Sequence, residues 1–333
     1  MPGWVVPAFV AGALVILFAS ARLVAALEQV GAHFGLAQVV VGLLAALAAD
    51  GPELTSAVAA QMSGHRAIGV GVLFGSNVFN IAALLGLGSL VAGRVVLHRR
   101  VVALEGVTAL AIAGCGLALV TGGLGPVAAA PVTFAVFIPY VAVSALPSER
   151  LPVPSRTRTW LAGAVKEEAE EVSQAYPTSE GVRLRRSVST AAVALVTVVA
   201  ASVLMEHAAS VGGPDLGLPE VVTGAVVLAA VTSLPNAVAA LYLARRGKGA
   251  AMLSEAFNSN TINVVGGLVL PAALGGLALG HPGAASVFAG AAYAGITLLA
   301  AALAYAGRGV SRWAAASLVG TYAAFLGVLV ALA

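Results

Sequence analysis

Residues 49–57 read "ADGPELTSA", flanked by the apolar runs "VVVGLLAAL" (39–47) and "AVAAQM" (57–62). Two carboxylates, a glycine and a proline therefore interrupt a segment otherwise suited to hydrocarbon. Each is a poor residue for an unbroken helix in lipid, where every backbone polar group must be satisfied internally. The interruption decides how the rest of the chain is read.

The chain has 333 residues, 60% hydrophobic and 9% charged, with a mean hydropathy of +0.99. A soluble domain covers its surface with roughly a quarter charged residues. Apolar runs of about 20 residues recur, enough to cross a core roughly 30 Å thick. The composition predicts an all-α polytopic membrane protein, and its basic pI reports topology rather than nucleic-acid binding. The one cysteine, Cys115, lies in an apolar run and can form no internal disulfide. The N-terminal segment has no basic n-region and reads as a first membrane helix rather than a signal peptide.

Ten spans are predicted, at 4–26, 36–61, 67–92, 101–122, 126–147, 188–206, 218–243, 250–279, 283–306 and 312–332. Residues 148–187 carry four prolines with Pro147 and the run "KEEAEE", and read as a solvated linker with a short helix over 160–175. This gives a first five-helix repeat (1–147), a linker (148–187) and a second repeat (188–333). With both termini outside, 16 of the 17 Lys and Arg residues face the cytoplasm, from Arg22 to Arg312, and Arg66 alone faces out. That bias predicts a multi-pass protein of the cell membrane with a cytoplasmic linker. High Ala, Gly and Arg usage points to a GC-rich bacterial genome.

The halves resemble each other. The segment 52–90 parallels 235–274, and Pro52 to Pro235, Asn77 to Asn260 and Asn80 to Asn263 are each 183 residues apart. Five spans per repeat is odd, so the second copy enters the membrane inverted. Such repeats place a site near the midplane where interrupted helices meet. In the first half the interruption is Asp50, Gly51, Pro52 and Glu53; in the second it is Thr232, Ser233, Leu234, Pro235 and Asn236. Each proline frees the carbonyl four residues earlier, of Ala48 and of Val231. One span later come Ser76, Asn77 and Asn80, matched by Ser259, Asn260 and Asn263. Together these supply oxygen ligands from four helices, a hard environment suited to Na⁺ or Ca²⁺. Glu53, Asp50, Asn80 and Asn263 are the candidate metal ligands. Ser and Asn in membrane helices often only bond between helices, whereas a mid-membrane carboxylate marks an ion path.

"GPELTSA" with "GSNVFN", and "TSLPN" with "NSNTIN", resemble the two alpha repeats of the calcium/cation antiporter superfamily, which includes sodium/calcium exchangers. The resemblance implies alternating access, with Ca²⁺ moving one way and Na⁺ or H⁺ the other. It implies that Glu53 is the principal acidic ligand, that Thr232 and Ser233 are the hydroxyl pair, and that Ser76, Asn80, Ser259 and Asn263 help hold the ions. The departures are specific. Asn236 stands where a glutamate is usual, and "AADG" replaces a Thr-Ser pair. Gly42 to Glu53 is 11 positions against 12 for Gly224 to Asn236, so Asp50 either faces the site or is turned away.

Glu255 lies on the stripe of Ser259 and Asn263, roughly 9 Å into its span by helix rise. It is either an acid of the inner vestibule or a snorkelling residue beside Arg245, Arg246 and Lys248. Glu105 reads as interfacial, and Glu28 and His33 fall around the first loop. Glu206, His207, Asp215 and Glu220 gather around an acidic outer loop. Two acids close together make exchange of a proton for a cation through one site physically easy. The expected function is a secondary cation antiporter moving Ca²⁺ or Na⁺ against Na⁺ or H⁺. The expected partners are inorganic cations and the bilayer, without nucleic acid, cofactor or obligatory protein partner. A degenerate ion-binding protein without exchange is the alternative. An intramembrane enzyme fits less well, because all five histidines lie near predicted span ends and no nucleophile motif is present.

Overall fold

The computed structural model describes residues 1–34, 46–175, 184–275 and 283–333. Helix α1 spans Val5–His33. After a helical turn at 46–49, the chain bends at Asp50 and α2 follows over Gly51–Met62. Helix α3 runs Arg66–Ala92 with a π-helical stretch at Ile81–Leu87, and leads into strand β1 (Arg94–Val96). Helices α4 (Arg99–Val120), α5 (Pro126–Ala145) and α6 (Ser155–Ala175) complete the first part. The second contains α7 (Leu184–Asp215), α8 (Glu220–Thr232) and α9 (Leu234–Arg245). Helix α10 covers 249–275, with a π-helical stretch at Asn263–Val269. It is followed by α11 (Ala284–Gly307), β2 (Gly309–Ser311) and α12 (Arg312–Leu332).

Among the described residues, seven helices are long and apolar enough to cross a membrane, and α8 with α9, bent by 44°, makes an eighth. The remaining two of the ten expected spans do not register this way. The span expected at 36–61 falls partly on residues outside those described. That at 250–279 carries Ser254, Glu255, Asn258, Ser259, Asn260, Thr261 and Asn263, which lower its hydropathy, and its last residues are also outside the description. Several expected boundaries shift. Helix α1 continues to His33, so Arg22, Glu28 and His33 are helical rather than in a loop. Helix α7 continues to Asp215, so Glu206 and His207 lie inside it, and the linker helix starts at Ser155 rather than near Trp160.

Helices in matching places of the two halves pack antiparallel. Along α1 and α7, Gly212 meets Val5 at one end and Ser187 bonds Gln29 at the other. Along α4 and α11, Gly106 meets Ala301 and Leu117 meets Gly290. On α3 and α10, Leu73 meets Gly267 and Gly88 meets Met252. The halves are therefore inverted relative to each other. Contacts also sort the loops by side: β1 pairs antiparallel with β2, and Arg100 pairs with Glu167 of the linker helix. The loops after the expected third, fifth and ninth spans therefore share one face, as the basic-residue count requires.

Burial separates core from lipid-facing helices. The most apolar window of α3 is 94% buried, against 22% for α5 and α12. The outer helices expose large apolar side chains, such as Phe18, Val107, Val127 and Val193, which suits contact with lipid. Glycines let the central helices touch. A Cβ at Gly75 would strike the backbone of Ala225, and one at Gly224 would strike the carbonyl of Ile68. This close small-residue contact holds α3 against the π-helical start of α8 (Thr223–Leu228) and so fixes the broken helix in place.

Candidate cation site

The two interruptions are equivalent in space as well as in sequence. Asp50 has φ −80° and ψ −6°, and Ser233, 183 residues later, has φ −84° and ψ 0°. Each stands at the break, with a proline in the first turn of the helix that follows. Asp50 thus matches Ser233, and Glu53 matches Asn236. The extra residue in the second half lies upstream of the motif, where a π turn at Thr223–Leu228 can absorb it. The first-half counterpart of that turn falls outside the described residues.

The four side chains cross between halves. The Ser233 hydroxyl donates to Glu53 Oε1 at 2.5 Å, and the Asn236 amide donates to Asp50 Oδ1 at 2.9 Å. Ser259 also donates to Asp50 Oδ1, at 2.6 Å. Asn80 Nδ2 reaches Ser259 Oγ at 3.0 Å and Asn260 Oδ1 at 3.3 Å. The Asp50 and Glu53 carboxyl groups lie within hydrogen-bonding reach of each other. Asp50 therefore points into the cluster and not away from it.

Asp50, Glu53, Ser76, Asn77, Asn80, Thr232, Ser233, Asn236, Ser259, Asn260 and Asn263 are all completely buried. They do not all do the same work. Asn77 and Asn260 each donate to the other's backbone carbonyl, at 3.4 and 2.9 Å, and Asn263 donates to Asn77 Oδ1 at 3.0 Å. These amides lock α3 to α10. Ser76 donates to Val72 O and Thr232 to Leu228 O, both on their own helices. Their hydroxyl protons are thereby turned away, and their oxygens keep lone pairs for another partner. Glu255 is half-buried on α10, a turn before Ser259.

Among the described residues, four oxygens of the cluster have no donor: Asp50 Oδ2, Glu53 Oε2, Asn236 Oδ1 and Asn263 Oδ1. A buried acceptor without a donor is costly, and a buried carboxylate more so. Two carboxylates in contact at zero exposure need a positive charge between them, a cation or a proton. Among the described residues no three His, Cys, Asp or Glu side chains gather to hold a metal. A cation here would be held by two carboxylates within a shell of amide and hydroxyl oxygens. That donor set fits a hard ion.

Glu105 adds a second buried polar contact: it is 1% exposed, and the Tyr140 hydroxyl lies 2.8 Å from its Oε1 and 2.6 Å from Asn258 Oδ1. Asn258 immediately precedes Ser259, so this contact ties α4 and α5 to the part of α10 that carries the site. Sequence reading missed it because Tyr140 and Asn258 occur once, in unmatched positions of the two halves. Glu206 is also buried, and pairs with His65 at 3.3 Å across α7 and the start of α3. It is not a solvated loop acid.

The sequence profile of the sodium/calcium exchanger protein family matches residues 4–146 and 187–331. The chain belongs to that family. Membership sets it among membrane transporters rather than enzymes. Among solved structures, this exchanger-family chain resembles the H⁺/Ca²⁺ exchanger CAX, with a TM-score of 0.71 and 16% identity over 98% of this chain and 86% of that one. It also resembles the sodium-calcium exchanger NCX_Mj, with a TM-score of 0.63 and 21% identity over 98% and 99%. It is 32% identical over 97 residues to the putative antiporter CaxA of Alkalimonas amylolytica, covering 28% of this chain and 30% of that one. To the inner membrane protein YrbG of Escherichia coli it is 25% identical over 272 residues, 79% and 78% of the two chains. The match to sodium/potassium/calcium exchanger 3 of Rattus norvegicus, 38% over 84 residues, spans 25% of this chain and only 14% of that protein.

Proposed function

We propose that this protein is a secondary cation antiporter that carries Ca²⁺ or Na⁺ across the membrane in exchange for Na⁺ or H⁺. One observation carries the reading. Two carboxylates and two amides, from both halves of an inverted fold, present four donorless oxygens in one fully buried cluster. Glu53 and Asp50 supply the charge. Ser76, Asn80, Thr232, Ser233, Asn236, Ser259 and Asn263 supply neutral oxygen, and Asn77 with Asn260 fixes the spacing. The helix breaks put backbone dipoles at the same depth. Alternating access would open this cluster to each side in turn, with the outgoing ion leaving before the incoming one binds.

The finer organisation belongs to the same reading: ten spans, in repeats 1–147 and 188–333 around a cytoplasmic linker, with both termini outside a bacterial cell membrane. Glu255 would lend charge to the inner vestibule. The absence of an acid at Asn236 raises a second reading, ion binding without exchange. The contact of Asn236 with Asp50 argues against it, since the acid count at the cluster remains two. Counterflow in proteoliposomes separates the readings, using ⁴⁵Ca²⁺ and ²²Na⁺ under imposed Na⁺ and pH gradients. Exchange should be present in the wild type and lost in Glu53→Gln. Binding without counterflow in the wild type would establish the second reading. Undiminished exchange by Glu53→Gln would remove the proposed site.

A further inference from the structure

The antiparallel pair α1–α7 holds a feature that the ion cluster does not use. At the end of the pair nearest the linker is a cavity of about 270 Å³, lined by Arg22, Gln29, Arg186, Ser187 and Thr190. It adjoins a groove of about 360 Å³ that runs along the lipid-facing side of the pair past Phe18, Ala19, Val193 and Ala194. Arg22 and Thr190 line both spaces.

Depth and charge suggest what fits. Arg22 is 17 residues beyond Val5, about 25 Å along α1 by helix rise, which puts it near the boundary of a hydrocarbon core about 30 Å thick. Its guanidinium rests 4.6 Å from the Phe18 ring centre, so the charge is held at the mouth of the groove. Arg186 lies in the first turn of α7 and lines the same cavity as Arg22. Among the described residues neither arginine is in an ion pair with a carboxylate. Two arginines at the interface, above an apolar trough, match a phosphate with an acyl chain below it.

We propose that the α1–α7 groove binds an anionic phospholipid, with its phosphate between Arg22 and Arg186 and one acyl chain along Phe18, Ala19, Val193 and Ala194. The apolar trough selects a lipid over a free phosphate, and the two arginines select an anionic head over a zwitterionic one. The assignment does not depend on which ions are exchanged. It bears on transport through packing: Val198, next to the groove, touches the position of Gly51 beside Asp50. An occupant of the groove therefore sits one helix away from the break.

The test is native mass spectrometry of the full-length detergent-solubilised protein, with phosphatidylglycerol and phosphatidylcholine of identical acyl chains. The wild type should retain phosphatidylglycerol at least about fivefold better, the scale of one lost charge contact or about 1 kcal/mol. Arg22→Gln with Arg186→Gln should erase the preference, whereas Arg245→Gln with Arg246→Gln, at the C-terminal end of α9, should keep it. Val193→Trp keeps both arginines, fills the trough from its exposed side and should also lose the lipid. It guards against misfolding of the charge variant. Equal retention of the two lipids by the wild type would overturn the proposal, as would full retention by the arginine variant. Displacement by soluble glycerol phosphate at equal concentration would reassign the site to a bare anion. Lipid binding confined to a dimeric species would reassign the groove to a second copy.

Discussion

Asp50→Asn tests the site where it departs most from its family. The side chain keeps its size, so the effect is one of charge and hydrogen bonding. Asp50 Oδ1 accepts from Ser259 at 2.6 Å and from Asn236 at 2.9 Å, and Oδ2 has no donor. Suppose a cation lies about 4 Å from this carboxylate. At an effective dielectric of about 20, the lost attraction is about 4 kcal/mol for Na⁺ and about 8 kcal/mol for Ca²⁺. Desolvation offsets part of both, but the difference favours loss of the divalent ion. If half of the difference survives, about 2 kcal/mol remains, and Ca²⁺ affinity should fall roughly 30-fold further than Na⁺ affinity. Thermal-shift titration of purified protein with each ion reads affinity, and ⁴⁵Ca²⁺ against ²²Na⁺ uptake reads transport. Equal weakening of both ions would show that Asp50 braces the cluster without facing the ion. Unchanged Ca²⁺ affinity would remove it from the site.

Other outcomes follow from the same geometry. Carboxylates must be unprotonated to bind a metal, so apparent cation affinity should fall on acidification, by up to about tenfold per pH unit for competition by one proton. Glu53→Gln should flatten that dependence, and a flat wild-type profile between pH 5 and 8 would contradict proton competition at the site. Tyr140→Phe removes one hydroxyl between Glu105 and Asn258 and should cost about 1–2 kcal/mol of stability, read as a lower melting temperature; an unchanged melting temperature would deny that contact its structural role. Glu255→Gln should weaken Ca²⁺ uptake from the inner side several-fold with outer-side uptake unchanged, measured in oriented vesicles. Equal uptake from both sides would place Glu255 outside the ion path.

The features legible in the sequence are those that physics makes periodic or costly. Apolar runs and the one-sided Lys and Arg distribution mark a polytopic helical protein. Carboxylates at 50 and 53 are conspicuous because hydrocarbon penalises them, and the 183-residue offset stands out because it recurs at Pro52 and Pro235, Asn77 and Asn260, and Asn80 and Asn263. Three kinds of fact were not legible. Helix ends are not legible because α1 and α7, at 29 and 32 residues, are longer than a hydrocarbon core needs, and hydropathy does not mark the surplus turns; Glu206, inside α7, therefore reads as a loop acid. The burial of Glu105 escaped because Tyr140 and Asn258 lie 35 and 153 positions away and repeat no pattern. The direction of Asp50 escaped because it depends on local register. An 11-residue interval against a 12-residue one allows either face, and only the matched backbone angles of Asp50 and Ser233 decide it.

That register also explains how an acid can be absent from Asn236 without leaving the cluster. Inversion relates Asp50 to Ser233 and Glu53 to Asn236, and each residue bonds the mate of its neighbour: Glu53 to Ser233, and Asp50 to Asn236. The four positions form a quartet in which a charge on residue 236 and a charge on residue 50 lie within one hydrogen bond of each other. Moving an acid from one repeat to the other therefore changes the sequence pattern by 186 positions and the site by about 3 Å. A motif count finds the second repeat deficient. The folded cluster retains two carboxylates in contact, and both are carried by the break between 50 and 53. The asymmetry concerns leverage rather than charge number. Both acids now follow the movement of α2, while α9 contributes only neutral donors and acceptors. Any step that shifts α2 relative to α3 and α10 therefore moves the whole negative charge of the site at once.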